Sequence, residues 1–297
     1  MTRLRRAVHF VPGGNERMLT KALTLEADAL VLDLEDAVAP ERKDEVRREM
    51  LSWLQDVDFG RQEKMVRMNS LESPWGLADL EITMQAPPDC YVVPKVASLA
   101  DVLAVDEALT GLERRYGFSE GGVRLLLVAT EVPQAVLNIA ELPRCERVVA
   151  MTWGAEDLSA AIGARRNRER DGTYLEVFRY CRSVMLLSAV AAGVQPVDGV
   201  YVDFRDEAAF RRDCEIGAAM GYTGKVTIHP NQIPIVNECF TPSADEIAEA
   251  HELLEALEEN RKRGRMAFSF KGEMVDVPHF ERARNIIERA RQAGVID

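Results

Sequence analysis

Short runs of β-branched and apolar residues alternate with longer amphipathic stretches along most of this chain. Eight such runs read as strands: Ala7–Val11, Ala29–Leu34, Met65–Met68, Tyr91–Val96, Leu125–Thr130, Val148–Thr152, Gly199–Phe204 and Lys225–Ile228. Helical periodicity fills the gaps, as in Glu16–Glu26, Glu41–Gln55, Leu99–Arg115 and Tyr174–Ala192. Eight strands with intervening helices predict a parallel (β/α)8 barrel of the TIM type rather than an open doubly wound sheet. An open nucleotide-binding sheet would want a glycine-rich turn after the first strand, and Pro12-Gly13-Gly14-Asn15 lacks the G-x-G-x-x-G spacing.

The barrel pattern is complete near His229-Pro230, and the division expected is a catalytic domain over residues 1–240 with an extension over 241–297. Asp245–Arg263 reads as a charged helix, glutamate-rich early and basic late, which suits the helix dipole. Met266–Asp276 reads as a hairpin with Lys271-Gly272 at its tip, and Pro278–Ala293 as a closing helix. This helix–hairpin–helix tail is too short to promise a core of its own, so it is expected to pack on the barrel or on a neighbouring subunit.

At 297 residues and 47% hydrophobic content the chain can bury a large core. A net charge of −12 argues against nucleic acid or an anionic membrane as general partners. Five dispersed cysteines without a C-x-x-C pair point away from a disulfide framework or a zinc site and towards a reducing compartment. MTRLRR leads straight into the first strand, with no apolar stretch for a signal peptide or membrane span, so a soluble cytoplasmic protein is expected.

In such a barrel the chemistry sits where strands end. Reading those positions alone gives Asp33, Glu35, Asp36, Arg67, Asn69, Lys95, Glu131, Asp157, Asp203 and His229. Glu131 and Asp157 stand one βαβ step apart and should emerge side by side from neighbouring strands. Two bare carboxylates there repel, and a hard divalent cation such as Mg²⁺ resolves the repulsion while leaving room for water and an oxyanion. Arg67 lies in an apolar run where an unpartnered arginine is costly, which favours a ligand role. Glu35 and Asp36 suit both a helix cap and a site; Lys95 and His229 suit an ion pair or packed polar role as well as a ligand contact. Asp203 reads as a loop carboxylate, and the Arg165–Arg170 run as a solvated loop that also lends positive potential to phosphates.

At these residues the chain resembles the citrate lyase β-subunit-like, or malyl-CoA lyase-like, branch of the Mg²⁺-dependent aldolase superfamily. The likeness covers nearly the whole chain. It rests on Phe10-Val-Pro-Gly13, Leu32-Asp-Leu-Glu-Asp-Ala-Val-Ala-Pro40, Val66-Arg-Met-Asn69, Val93-Pro-Lys-Val96, Thr130-Glu131 and Gly154-Ala-Glu-Asp-Leu158. Pro196-Val-Asp-Gly199, Gly224-Lys-Val-Thr-Ile-His-Pro230, Phe240-Thr-Pro-Ser243 and Met274-Val-Asp276 extend it. The resemblance implies a barrel with a C-terminal extension, commonly a homotrimer or hexamer with shared active sites. It also implies Mg²⁺ (or Mn²⁺) as cofactor and a short β-hydroxyacyl-CoA thioester as substrate. Malyl-CoA would give acetyl-CoA and glyoxylate; citramalyl-CoA would give acetyl-CoA and pyruvate; a methylated acyl chain would give propionyl-CoA. Alternatives are a malyl-CoA thioesterase on the same site, or the β-subunit of a citrate lyase working on a carrier protein.

By the same resemblance Glu131 and Asp157 match the metal ligands, and Arg67 the arginine on the substrate's oxo or hydroxy group. Glu35 and Asp36 match carboxylates that hold metal-bound water. Asp276 matches an aspartate delivered to an adjacent subunit, and Lys21 a basic residue near CoA phosphates. Asn15 stands where some malyl-CoA lyases carry arginine, so the pocket for CoA or the small acid differs there. Val128-Ala-Thr replaces the more usual apolar-then-Ile-Glu approach to Glu131.

Overall fold

The computed structural model describes residues 3–297. Eight parallel strands close into a barrel in sequence order: β1 (Ala7–Pro12), β2 (Ala29–Asp33), β3 (Glu63–Arg67), β4 (Cys90–Val93), β5 (Arg124–Val128), β6 (Val148–Thr152), β7 (Gln195–Asp198) and β8 (Gly224–Thr227). The helices between them are α1 (Glu16–Ala22), α2 (Lys43–Asp56), α3 (Gly76–Thr83), α4 (Leu99–Tyr116), α5 (Pro133–Asn138), α6 (Ala155–Ala161), α7 (Glu176–Ala191) and α8 (Glu207–Met220). α9 (Gln232–Cys239) follows β8. The chain thus adopts the (β/α)8 architecture that its alternation predicts.

Strand side chains alternate between the barrel axis and the helical layer. Each strand sends at least one apolar residue into a shared interior cluster, among them Val8, Val31, Met65, Val92, Leu126, Ala150, Val197 and Val226. The interior is therefore packed rather than hollow. Counting two residues further along six of these strands gives the next layer: Phe10, Asp33, Arg67, Val128, Thr152 and Ile228. There the lining turns from purely apolar to mixed, and the site begins.

One irregularity adjusts this phase. Leu125 pairs with Val148 but Leu126 pairs with Ala150, so β6 carries one extra residue, Val149, against β5. A bulge of this kind bends the strand and shifts every later side chain relative to its neighbour. Above it Val128 and Thr152 stand opposite each other.

The seventh strand differs from expectation. It is Gln195–Asp198, while Gly199–Phe204 is an extended loop beyond it. Pro196 and a charged Asp198 hide this strand from any reading based on apolar runs. Both are tolerated, because Pro196 still offers its carbonyl to Thr223 N and Asp198 is fully paired with buried cations.

The described residues fall into two compact units, Arg5–Asn237 and Glu238–Asp297, the latter grouped with residues 3–4. The second holds α10 (Ala244–Lys262), a hairpin of β9 (Phe268–Phe270) and β10 (Glu273–Val275), and α11 (Val277–Gln292). Contrary to the expectation that so short a tail lacks its own core, Ile247, Leu253, Leu257, Val275, Phe280 and Ile287 bury one another in a separate apolar cluster. A Ser243/Glu246 capping box opens α10, and Lys271 at the hairpin tip takes the left-handed conformation a two-residue turn demands. No helix among the described residues is long and apolar enough to cross a membrane.

Candidate active site

Arg67 and Asp33 meet because β2 and β3 run in register, Asp33 opposite Arg67. Arg67 Nε and Nη2 donate to the two Asp33 oxygens at 2.7 and 2.6 Å, a bidentate pair that fixes the guanidinium plane. Its third nitrogen, Nη1, lies 2.8 Å from Glu35 Oε2 and 3.8 Å from Asp36. The ring of Phe10 lies 5.1 Å beneath it. Burial works against the charged arginine, but Asp33, Glu35 and Asp36 together hold it well above its ordinary value.

The loop bearing Glu35 and Asp36 is not left to hang. Lys43, buried at the start of α2, donates to Leu34 O, Glu35 O and Asn69 Oδ1 at 2.7–2.8 Å. Asn69 is itself gripped by Asp79, which Arg47 also binds. A single buried ammonium thus ties the ends of β2 and β3 together.

Lys95 follows β4 and is one of two non-glycine residues at positive φ among the described residues, at 55°. That conformation aims its backbone N–H at Glu131 Oε2, 2.5 Å away. Its ammonium reaches the other way, to Glu35 at 2.5 Å, Asp36 at 3.4 Å and Asp157 at 3.9 Å.

Glu131 is 3% exposed and follows β5. Beside it, Gly154 caps α6; a Cβ there would come within 2.8 Å of Glu131 Cγ, so only glycine leaves room for the carboxylate. Gly154 N donates to Thr130 Oγ1 at 3.1 Å, joining the ends of β5 and β6. Asp157 stands in the first turn of α6. Burial, then Asp157, then Glu35 push Glu131 up to about 8, against the pull of Lys95 and Arg67. Glu35 is also raised, chiefly by burial.

Arg67, Glu131 and Asp157 line one cavity of about 150 Å³ with Phe10, Val128, Thr152, Val200, Val226 and Ile228. Charged and apolar side chains share its lining. Among the described residues no three His, Cys, Asp or Glu side chains are gathered to hold a metal ion. Glu131 and Asp157 instead form a two-carboxylate seat, which suits Mg²⁺, an ion usually held by one or two carboxylates plus water and substrate. The all-oxygen donor set and the charge deficit at Glu131 both fit that ion.

The structure therefore brings Arg67, Glu35, Asp36, Lys95, Glu131 and Asp157 together. Asn15 and Lys21 lie on α1: Asn15 caps its N-terminus by accepting from Met18 N, and Lys21 is exposed in its last turn. Asp276 belongs to the C-terminal unit, where it caps α11 and its Oδ1 lies 2.8 Å from His279 Nδ1. Asp203 accepts from Arg205 N in an exposed loop, and His229 stacks on Phe204 at 4.7 Å.

Four residues carry structural roles that the sequence did not assign them. Asp33 lacked an assigned role because its partnership with Arg67 depends on register. Lys43 anchors a loop eight residues away. Asp198 and Lys225, at the far side of the barrel, pair at 2.7 Å with both groups essentially excluded from water. Within the arginine run, Arg168 does not face solvent: it stacks on Tyr174 and Tyr201 and pairs with Asp213.

A closed parallel barrel with a carboxylate pair, an arginine and a small cavity at the strand ends defines a barrel enzyme built for anionic substrates. The chain belongs to the HpcH/HpaI aldolase/citrate lyase family, whose pattern matches residues 6–230. It is 37% identical to the mitochondrial citramalyl-CoA lyase of Homo sapiens over 96% of this chain and 85% of that one. It is 36% identical to the (3S)-malyl-CoA thioesterase of Cereibacter sphaeroides over 96% of this chain and 94% of the relative. Among solved structures it is similar to the CitE protein of Mycobacterium tuberculosis in complex with magnesium, acetoacetate and coenzyme A. That match has a TM-score of 0.82 and 31% identity, and covers 98% of this chain and 100% of that one.

Proposed function

We infer that this protein is a magnesium-dependent carbon–carbon lyase that cleaves, or forms, a short β-hydroxyacyl-CoA. The observation that carries the reading is the single cavity that Glu131, Asp157 and Arg67 line together with apolar side chains. Substrates of the malyl-CoA or citramalyl-CoA type fit it: a small acid with two vicinal oxygens at the charged residues and little else to accommodate.

Cleavage between the α and β carbons turns the β-hydroxyl into a carbonyl and sends the bonding electrons towards the thioester. Glu131 and Asp157 would hold the metal, and Glu35 and Asp36 water bound to it. When bound, Mg²⁺ supplies Lewis-acid stabilisation to the substrate's oxygens. Arg67, immobilised by Asp33 and Glu35, presents fixed positive charge to the oxygen at the breaking bond at no cost in reorganisation. Phe10, Val128 and Val226 keep bulk water from that side of the acid. Asp276 would exchange the proton at the acetyl-CoA methyl carbon, supplied from a neighbouring copy in a homotrimer or hexamer, and Lys21 and Asn15 would serve the CoA end. The Asp276→Ala variant should bind Mg²⁺ normally and lose turnover by ~10²-fold or more, the usual scale for a positioned acid or base. Exchanged with Arg67→Ala subunits, it should regain activity in mixed oligomers.

The decisive experiment incubates the protein with malyl-CoA and citramalyl-CoA in Mg²⁺ and identifies what is released. Glyoxylate or pyruvate with acetyl-CoA is the expected result. Free malate with CoA would instead favour the second reading, thioester hydrolysis, which the likeness to the Cereibacter sphaeroides thioesterase supports.

A further inference from the structure

Lys95 touches every carboxylate that matters to metal binding, and it does so at a conformational cost. Its φ of 55° lies in the left-handed region, which a residue with a Cβ adopts only when its surroundings impose it. The strained backbone directs the N–H to Glu131, while the side chain lies among Glu35, Asp36 and Asp157. No other cation reaches both candidate metal ligands among the described ion pairs and hydrogen bonds. Arg67 is committed to Asp33 and Glu35.

Charge counting shows why such a residue is needed. Asp33, Glu35, Asp36, Glu131 and Asp157 face Arg67 and Lys95, and Lys43 acts on the first three from behind their loop, so five carboxylates meet three cations. Without a divalent ion the cluster would spread apart, since like charges a few ångströms apart repel strongly away from bulk water. The Lys95 side chain is 35% exposed, against 14% for Arg67, so it has room to withdraw. Its contacts are graded as well: 2.5 Å to Glu35, and only 3.9 Å to Asp157.

We propose that Lys95 is a built-in counter-cation: it keeps the carboxylates assembled before the metal arrives and yields Asp157 to the ion. Lys95 is then a positioning residue whose two ends act in opposite senses. The backbone N–H holds Glu131 in place for the metal, and the ammonium competes with the metal. The inference rests on the metal-site reading above and specifies what sets the affinity of that site.

The test is Mg²⁺ titration calorimetry on wild-type protein, Lys95→Met and Lys95→Gly, with thermal unfolding in EDTA alongside. Lys95→Met removes the ammonium. Lys95→Gly also relieves the left-handed strain and keeps the N–H. Both should bind Mg²⁺ about tenfold more tightly or better, the scale expected on removing a unit charge close to the ion at a partly exposed site. Lys95→Met should also unfold at lower temperature in EDTA and regain the difference in Mg²⁺. Unchanged or weaker Mg²⁺ affinity in Lys95→Gly, with its circular dichroism intact, would overturn the proposal even if Lys95→Met failed to fold. Absence of Mg²⁺ binding by wild-type protein would instead sink the metal site itself, so the two failures are distinguishable.

Discussion

Two clusters of charge sit on opposite sides of this barrel, and they are built on contrary principles. Around β7 and β8, Asp198 is embraced by Arg182 at 2.5 Å and Lys225 at 2.7 Å, while Asp213 takes Lys225, Arg182 and Arg168. Trp153 Nε1 and Gly199 N satisfy Asp198 further. Every charge has an opposite, no cavity opens onto Asp198, Lys225 or Arg182 in the described pockets, and Asp198 stays well below its ordinary value despite burial, because Lys225 and Arg182 outweigh the loss of water. Around β2 to β6 the carboxylates outnumber their cations, a cavity opens onto them, and Glu131 is pushed up to about 8. Buried carboxylates fully met by cations make structure; a surplus of carboxylates left facing a cavity awaits a ligand.

Neutralising a carboxylate should therefore have opposite consequences in the two clusters. The largest effect is on chemistry: Glu131→Gln or Asp157→Asn should reduce Mg²⁺-dependent turnover to background in a product assay, with the fold retained. Full activity in either would dissolve the distinction drawn here. Next comes Asp198→Asn, which strands Lys225 and Arg182 and should cost ~3–5 kcal/mol in denaturant unfolding, the range for breaking a buried ion pair. In the same assay without metal, Glu131→Gln should be neutral or stabilising, since it removes a repulsion.

The smallest effect concerns pH. Glu131 holds its proton more tightly in the folded protein than in the unfolded chain, so its contribution is fully present below the ordinary carboxylate range and is lost as pH rises through about 8. Unfolding midpoints in EDTA should fall by a few degrees between pH 6 and 9. The slope should flatten in saturating Mg²⁺ and in Glu131→Gln; a wild-type midpoint that does not move would show that the deficit at Glu131 is already met within the chain.

Periodicity made most of the architecture legible. Seven strands and the tail's hairpin lie where apolar runs and a Lys-Gly turn put them, to within two residues at most ends. β7 escaped because a four-residue strand containing proline and aspartate carries no run at all; what stabilises it is charge pairing with distant Lys225. The same division holds in the site. Glu131, Asp157, Arg67, Glu35, Asp36 and Lys95 were legible because each ends or interrupts an apolar segment. The Asp33–Arg67 fork needs strand register, the Lys43 anchor needs a loop to fold back, and the positive φ of Lys95 is imposed by its neighbours. None of these leaves a local trace.

The extra residue in β6 bears on any attempt to re-engineer this barrel. Val149 acts as a phase corrector, bringing Thr152 level with Val128 while Trp153, which also lines the cavity, donates to Asp198. Deleting it would invert the upper end of the stave rather than shorten it, exchanging the side chains that face the axis for those that face the helices and robbing Asp198 of its indole donor in one stroke.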